Sequence, residues 1–141
     1  MHNYISVKYS LLTTLLLLFL SACTPDVKPE EMAVQAAKAY YDQMLQGDYE
    51  SFVAGTEGYD SVPDYYHEQL IANMKMFVGQ QKAEHNGIVS VTALNAKVDT
   101  VKLAGEERLV AEAFLSLCYG DSTRESVVVP MIEKNGIWKM R

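Results

Sequence analysis

At Gly87 the apolar residues of this chain change their spacing. From 30 up to it they recur every three or four positions, the period of a helix. After it they alternate, the period of a strand. A segment patterned for one period does not settle as the other. The order of elements is therefore helices first, then strands. The first helical stretch covers 30–46, with Ala33, Ala36/Ala37, Tyr40/Tyr41 and Met44 on one face. Pro29 suits its start, Glu30 and Glu31 suit the positive end of its dipole, and Gly47 suits its stop. Residues 48–53 add one short helical turn, and 55–61 read as a loop. Ser61 is placed to cap a second helix, with Asp64 three residues on and Pro63 in the first turn. Tyr66, Leu70, Met74, Phe77 and Gln81 trace its apolar face, Ile71 and Val78 widen it, and Gly79 is a weak point within it. It ends near Asn86.

Four strands follow, at 88–98, 109–119, 125–133 and 137–140. Turns fall at Ala104-Gly105-Glu106, Gly120-Asp121-Ser122 and Asn135-Gly136, the last a strong hairpin signal. In the second strand Leu109, Ala111, Ala113, Leu115, Leu117 and Tyr119 share one side. Arg108, Glu112 and Ser116 share the other with Val110, Phe114 and Cys118, so that second face is only partly polar. Pro130 cannot donate to a ladder and predicts an edge or a bulge. The expected fold class is α+β: N-terminal helices packed on one face of a four-stranded antiparallel meander.

The 141 residues amount to one domain, and a net charge of -6 argues against a nucleic-acid partner. Residues 1–22 hold no acid. Lys8 is followed by an apolar run ending in small residues, the pattern of a signal peptide. The 14-residue stretch 9–22 spans about 21 Å as a helix, short of a bilayer core of about 30 Å. Leu20-Ser21-Ala22-Cys23 resembles the lipobox of bacterial lipoproteins. That resemblance implies diacylglyceryl transfer to Cys23, cleavage before it, and anchoring by two or three acyl chains, enough for stable attachment. Thr24 rather than aspartate after the cysteine favours the outer membrane of the cell envelope, on its periplasmic or surface face. The expected organisation is a signal peptide at 1–22, a lipidated tether at 23–29 and a folded domain at 30–141.

The order of parts resembles the NTF2-like (cystatin-like) fold and, more narrowly, a DUF4878-type family of bacterial lipoproteins. The matching pieces are Ala36-Ala37-Lys38-Ala39-Tyr40-Tyr41, then Gly47-Asp48-Tyr49-Glu50, then Val127-Val128-Val129 and Glu133-Lys134-Asn135-Gly136-Ile137-Trp138-Lys139-Met140. The resemblance implies a curved sheet wrapped around a long helix, a cone-shaped cavity and no assigned reaction. Pro130 within the third strand departs from it.

No catalytic serine triad, zinc-protease, P-loop or dinucleotide-binding spacing is present, and no metal or other cofactor is expected. His67 and His85 are 18 residues and five helical turns apart, so they share a face but stand about 27 Å from each other. No single metal bridges them. Each reads as a surface or helix-end histidine, and His85 fits the negative end of the helix dipole. With Cys23 lipidated, Cys118 has no disulfide partner and reads as an inert strand thiol. Tyr40, Tyr66, Tyr119 and Trp138 are the candidates to line a cone, with Glu112 (or Asp64) as the acid that a tyrosine–acid mechanism needs. Core and rim tyrosines are the commoner use of such residues. The cluster Tyr59-Asp60 with Asp64-Tyr65-Tyr66 reads equally as a recognition loop at the cavity mouth. Three readings follow. One is a non-catalytic envelope module binding a small ligand or partner protein. Another is an assembly module forming a homodimer through its sheet. The third is an enzyme of the isomerase or dehydratase type.

Overall fold

The computed structural model describes residues 25–141; the signal-peptide stretch 1–22 and Cys23 lie outside the described residues. Helix α1 spans Pro29–Leu45, α2 Tyr49–Ala54 and α3 Asp64–His85, with a 3₁₀ turn at Tyr59–Ser61 between the last two. Strands β1 (Ile88–Leu103), β2 (Glu106–Tyr119), β3 (Arg124–Lys134) and β4 (Ile137–Met140) form one antiparallel sheet in sequence order. Three helices thus pack with a four-stranded meander, the α+β class expected.

The helix ends follow from local chemistry. Pro29 opens α1 with Glu30 and Glu31 in its first turn. The side chain of Asp48 accepts a hydrogen bond from the Ser51 amide at 3.1 Å and caps α2. Ser61 does not cap α3. The pyrrolidine of Pro63 holds Val62 extended (φ -105°, ψ 149°), which separates Ser61 from the helix; α3 starts at Asp64 with no side-chain cap. At its far end Asn86 and Gly87 both take positive φ, 58° and 85°, and turn the chain into β1.

The hairpins are tight. Ala104-Gly105 and Asn135-Gly136 each place two successive residues at positive φ, the geometry that suits strand twist. β1 runs five residues past its expected end at Val98, because 99–103, where polar residues alternate with Val101 and Leu103, pairs with 106–110 along the sheet edge. Two register irregularities interrupt β1, between Ile88 and Ser90 and between Ala93 and Asn95.

The core sits between α1 and one face of the sheet. Ala33, Val34 and Ala37 of α1 meet Val91, Ala113, Leu115, Leu117, Val129, Met131 and Trp138 in one buried cluster. Alanines at the contact let the helix approach the strands closely. Ala111, Ala113, Leu115, Leu117 and Tyr119 are all buried, as the alternation predicts. On the opposite face Val110, Phe114, Ser116 and Cys118 are half-buried and Glu112 is exposed.

Pro130 lies where β4 stops pairing with β3, so it is locally an edge residue. The Arg141 amide donates to the Pro130 carbonyl at 2.9 Å, which shows that the backbone of Pro130 faces away from β2. Its missing N–H therefore removes no bond to β2, and the β2–β3 register stays unbroken. Stepping across the ladder, Glu112 faces β1, while Val98 and Thr100 turn their backbone groups to the free edge. There the Asp99 carboxylate accepts the Thr100 amide at 2.8 Å.

Helix α3 contains no buried residue. Its half-buried stripe is His67, Leu70, Ile71, Met74, Val78, Gln81 and His85. The face is rotated from the expected one: Ile71 and Val78 lie inside it, while Tyr66 and Phe77 are exposed.

Candidate functional site

The aromatic candidates divide into two groups. Tyr40, Tyr119 and Trp138 pack in or against the core. The Tyr40 hydroxyl donates to the Trp138 carbonyl at 2.8 Å, and burial raises its pKa. The Tyr119 hydroxyl donates to Glu125 Oε2 at 2.6 Å. Burial first, then the Glu125 bond and the nearby acids, push the Tyr119 phenol up to about 12. Both hydroxyls are committed to internal partners. Tyr66 stands apart on the exposed side of α3. Glu112 is separated from Tyr119 by seven positions on β2, an odd number, and so projects from the opposite sheet face. The structure therefore brings Tyr40 and Trp138 together and does not bring Glu112 or Tyr66 to them. The acid that meets a core tyrosine is Glu125. Its signal was the alternation of β3, where 125 shares parity with the buried Val129 and Met131.

Around Tyr119 a polar cluster joins α3 to the β2–β3 turn. His85 Nδ1 lies 2.8 Å from Asp121 Oδ2, and the His85 ring is 4.7 Å from the Tyr119 ring. Bonds from Thr123 and then His85 hold the Asp121 carboxyl down at about 2. The Asp121 amide donates to the His85 carbonyl at 3.0 Å, and the Gly120 amide to the Gly87 carbonyl at 2.9 Å. At the other end of α3, His67 Nε2 lies 2.7 Å from the Tyr59 carbonyl, and the two rings stack at 3.8 Å. The two histidines thus sit on one face and pin the two ends of the helix. Among the described residues no three His, Cys, Asp or Glu side chains gather as a metal centre would need.

This cluster predicts an alkaline limit to stability. A phenol whose pKa is raised on folding favours the fold fully below its unfolded value near 10. That contribution disappears as pH rises through about 12. The melting temperature is expected to fall between pH 10 and 12, and Tyr119→Phe to make that fall shallower. An equally steep fall in the variant would remove Tyr119 as a source of it.

A cleft of about 410 Å³ opens between the loop after α2 and the β3–β4 hairpin. Backbone pairing positions its walls. The Met140 amide donates to the Gly55 carbonyl at 2.8 Å, and the Glu57 amide to the Met140 carbonyl at 2.7 Å, so the loop is zipped along β4. Glu57, Asp60 and Ser61 line one wall, and Arg108, Lys134 and Lys139 the other. Ile132 forms a buried apolar floor, and Ile137, 58% exposed, stands at the rim. Arg108 has Glu106 at 3.4 Å, whereas Lys134 and Lys139 form no ion pair among the described residues. Asp60, one member of the expected recognition loop, is on this wall. Tyr59 is taken up by its stack on His67, and Tyr65 is 71% exposed at the start of α3. The cleft has no sequence signature, because its walls come from separate segments, none with a motif of its own.

Among solved structures the chain is similar to a Campylobacter jejuni protein described as an NTF2-like transpeptidase, with a TM-score of 0.56 and 12% identity over 75% of this chain and 94% of that one. At that identity the likeness is one of fold, and the fold is NTF2-like. No family model and no curated protein matches the chain.

Proposed function

We propose that this protein is a lipid-anchored module of the bacterial cell envelope that binds a small ligand without transforming it. The DUF4878-type lipoproteins, resembled in the segments quoted above, suggest the same placement. In this reading residues 1–22 are removed, Cys23 carries the acyl chains, 24–29 form the tether and 30–141 the binding domain, on the outer membrane. The observation that carries the binding half is the cleft: three cations face two carboxylates across an apolar floor. Such a site suits a ligand with an anionic group beside an apolar one, held by charge on one side and burial on the other. The isomerase or dehydratase alternative has less support, because the Tyr40 and Tyr119 hydroxyls are bonded internally and Glu112 lies on the other face.

Native mass spectrometry of protein taken from its own membrane tests both halves. The N-terminal peptide is expected to begin at Cys23 with acyl mass, and Cys23→Ala to move the protein to the soluble fraction. A small anionic species is expected to accompany wild type and to be lost in the Lys134→Glu, Lys139→Glu double variant. An unmodified Cys23 overturns the anchor; retention unchanged in the double variant overturns the cleft.

A further inference from the structure

The cleft between the loop after α2 and the β3–β4 hairpin carries charge on both walls, and the two sets do not meet. Among the described residues no ion pair crosses it. Arg108 is partly matched by Glu106 at 3.4 Å, and Glu57 by Arg141 at 3.9 Å. Lys134 and Lys139 on the sheet wall and Asp60 on the loop wall form no ion pair among the described residues. Backbone pairing, not side-chain charge, sets the position of the loop, through Gly55, Glu57 and Met140. Opposite charges held apart in this way complement a molecule that carries the reverse arrangement.

Strand register orders the sheet wall. Lys134 lies directly across from Ile137, and Ile132 directly across from Lys139. Residues two apart on a strand share a face, so these four form a checkerboard. The lysines occupy one diagonal and the isoleucines the other. Two ammonium groups thus flank an apolar surface. Ser61 and Asn135 add a hydroxyl and a carboxamide to the lining.

We infer that the cleft takes a short peptide with both termini free and an apolar side chain. This deepens the reading of the cleft given above and rests on it: the anionic group of that ligand is one end of a zwitterion. The terminal carboxylate lies between Lys134 and Lys139, and the terminal ammonium at Asp60 with Glu57 beside it. The apolar side chain lies on Ile132 and Ile137. The peptide group between the ends needs a donor and an acceptor, which Ser61 and Asn135 both offer. A ligand with anionic groups alone would set like charge against Asp60, at a cost in affinity. The size agrees with two residues. A volume of about 410 Å³ is about 7 Å on a side, and two extended residues span about 7 Å.

Isothermal titration of the full chain in detergent tests this with three probes: Leu-Leu, N-acetyl-Leu-Leu and Leu-Leu-amide. The pH is kept below the α-amino pKa of about 7.7–8.0, so that the first probe is a zwitterion. Leu-Leu is expected to bind at least about tenfold more tightly than either blocked form. Asp60→Asn is expected to remove most of its advantage over N-acetyl-Leu-Leu and none of that over Leu-Leu-amide. N-acetyl-Leu-Leu binding as tightly as Leu-Leu overturns the inference and leaves an anion site. Failure of all three probes to bind also overturns it, while the species retained in native mass spectrometry still decides the cleft reading. Leu-Leu binding unchanged in the Lys134→Glu, Lys139→Glu double variant places the peptide elsewhere and overturns it as well.

Discussion

Leu115→Ala is expected to lower the unfolding free energy by about 2–5 kcal/mol. Leu115 is 0% exposed at the middle of β2, between Ala93 on one side and Val127 on the other. Truncation removes its transfer free energy and leaves a cavity between sheet and helix. The neighbours cannot collapse into that space easily. The helix residues of the same buried cluster are Ala33, Val34 and Ala37, whose short side chains reach little further. On the strand side the neighbours are held by ladder bonds. Domains of this size carry about 5–15 kcal/mol in total, so the loss is a large share. No disulfide offsets it among the described residues, where Cys118 is free. Denaturant unfolding gives the figure directly. A loss below about 1 kcal/mol would mean that this position is not the centre of the core.

The second large effect is a gain of one methyl group. Gly55 has an ordinary right-handed backbone (φ -72°, ψ -3°), so alanine meets no conformational objection there. The objection is the Tyr40 ring, whose nearest carbon would lie at a distance no real contact shows. Tyr40 cannot swing aside without breaking its bond to the Trp138 carbonyl. Gly55→Ala is therefore expected to cost about 1–3 kcal/mol by overpacking. In a Tyr40→Ala background the same substitution should cost close to nothing. The pair forms a double-mutant cycle whose coupling measures the clash. Equal costs in both backgrounds would place the strain elsewhere.

These two positions mark how far the sequence could be read. Leu115 was legible, since alternation along β2 fixes its face and the turn residues fix the hairpins on either side. Gly55 was not. It reads as a loop residue, and nothing local reveals that a tyrosine fifteen positions earlier lies against it. The same limit explains the candidate site. Pattern puts Tyr40 on the apolar face of α1 and Tyr119 on the inward side of β2, but the partners of their hydroxyls are tertiary facts. Chemistry alone points to Glu112, and its parity on β2 points away. The face of α3 is not legible in the sequence, because apolar residues lie on two sides of that helix. The periodicity that orients an amphipathic helix is weak when the second side is apolar too. The end of β1 is hard to read because Asp99, Thr100 and Lys102 interrupt the β-branched run, while Val101 and Leu103 continue the strand.

That outer edge has a consequence for how the protein behaves when crowded. A 16-residue strand with one unpaired side is a template on which another chain can add, and added chains can go on to form aggregates. Here the two irregularities bend the template out of register near Val89 and Leu94. Further along, Asp99 occupies the Thr100 amide that an incoming strand would seek. The flaws in β1 thus act as guards. They stop edge-to-edge growth, so that many copies can share a small area while remaining discrete molecules.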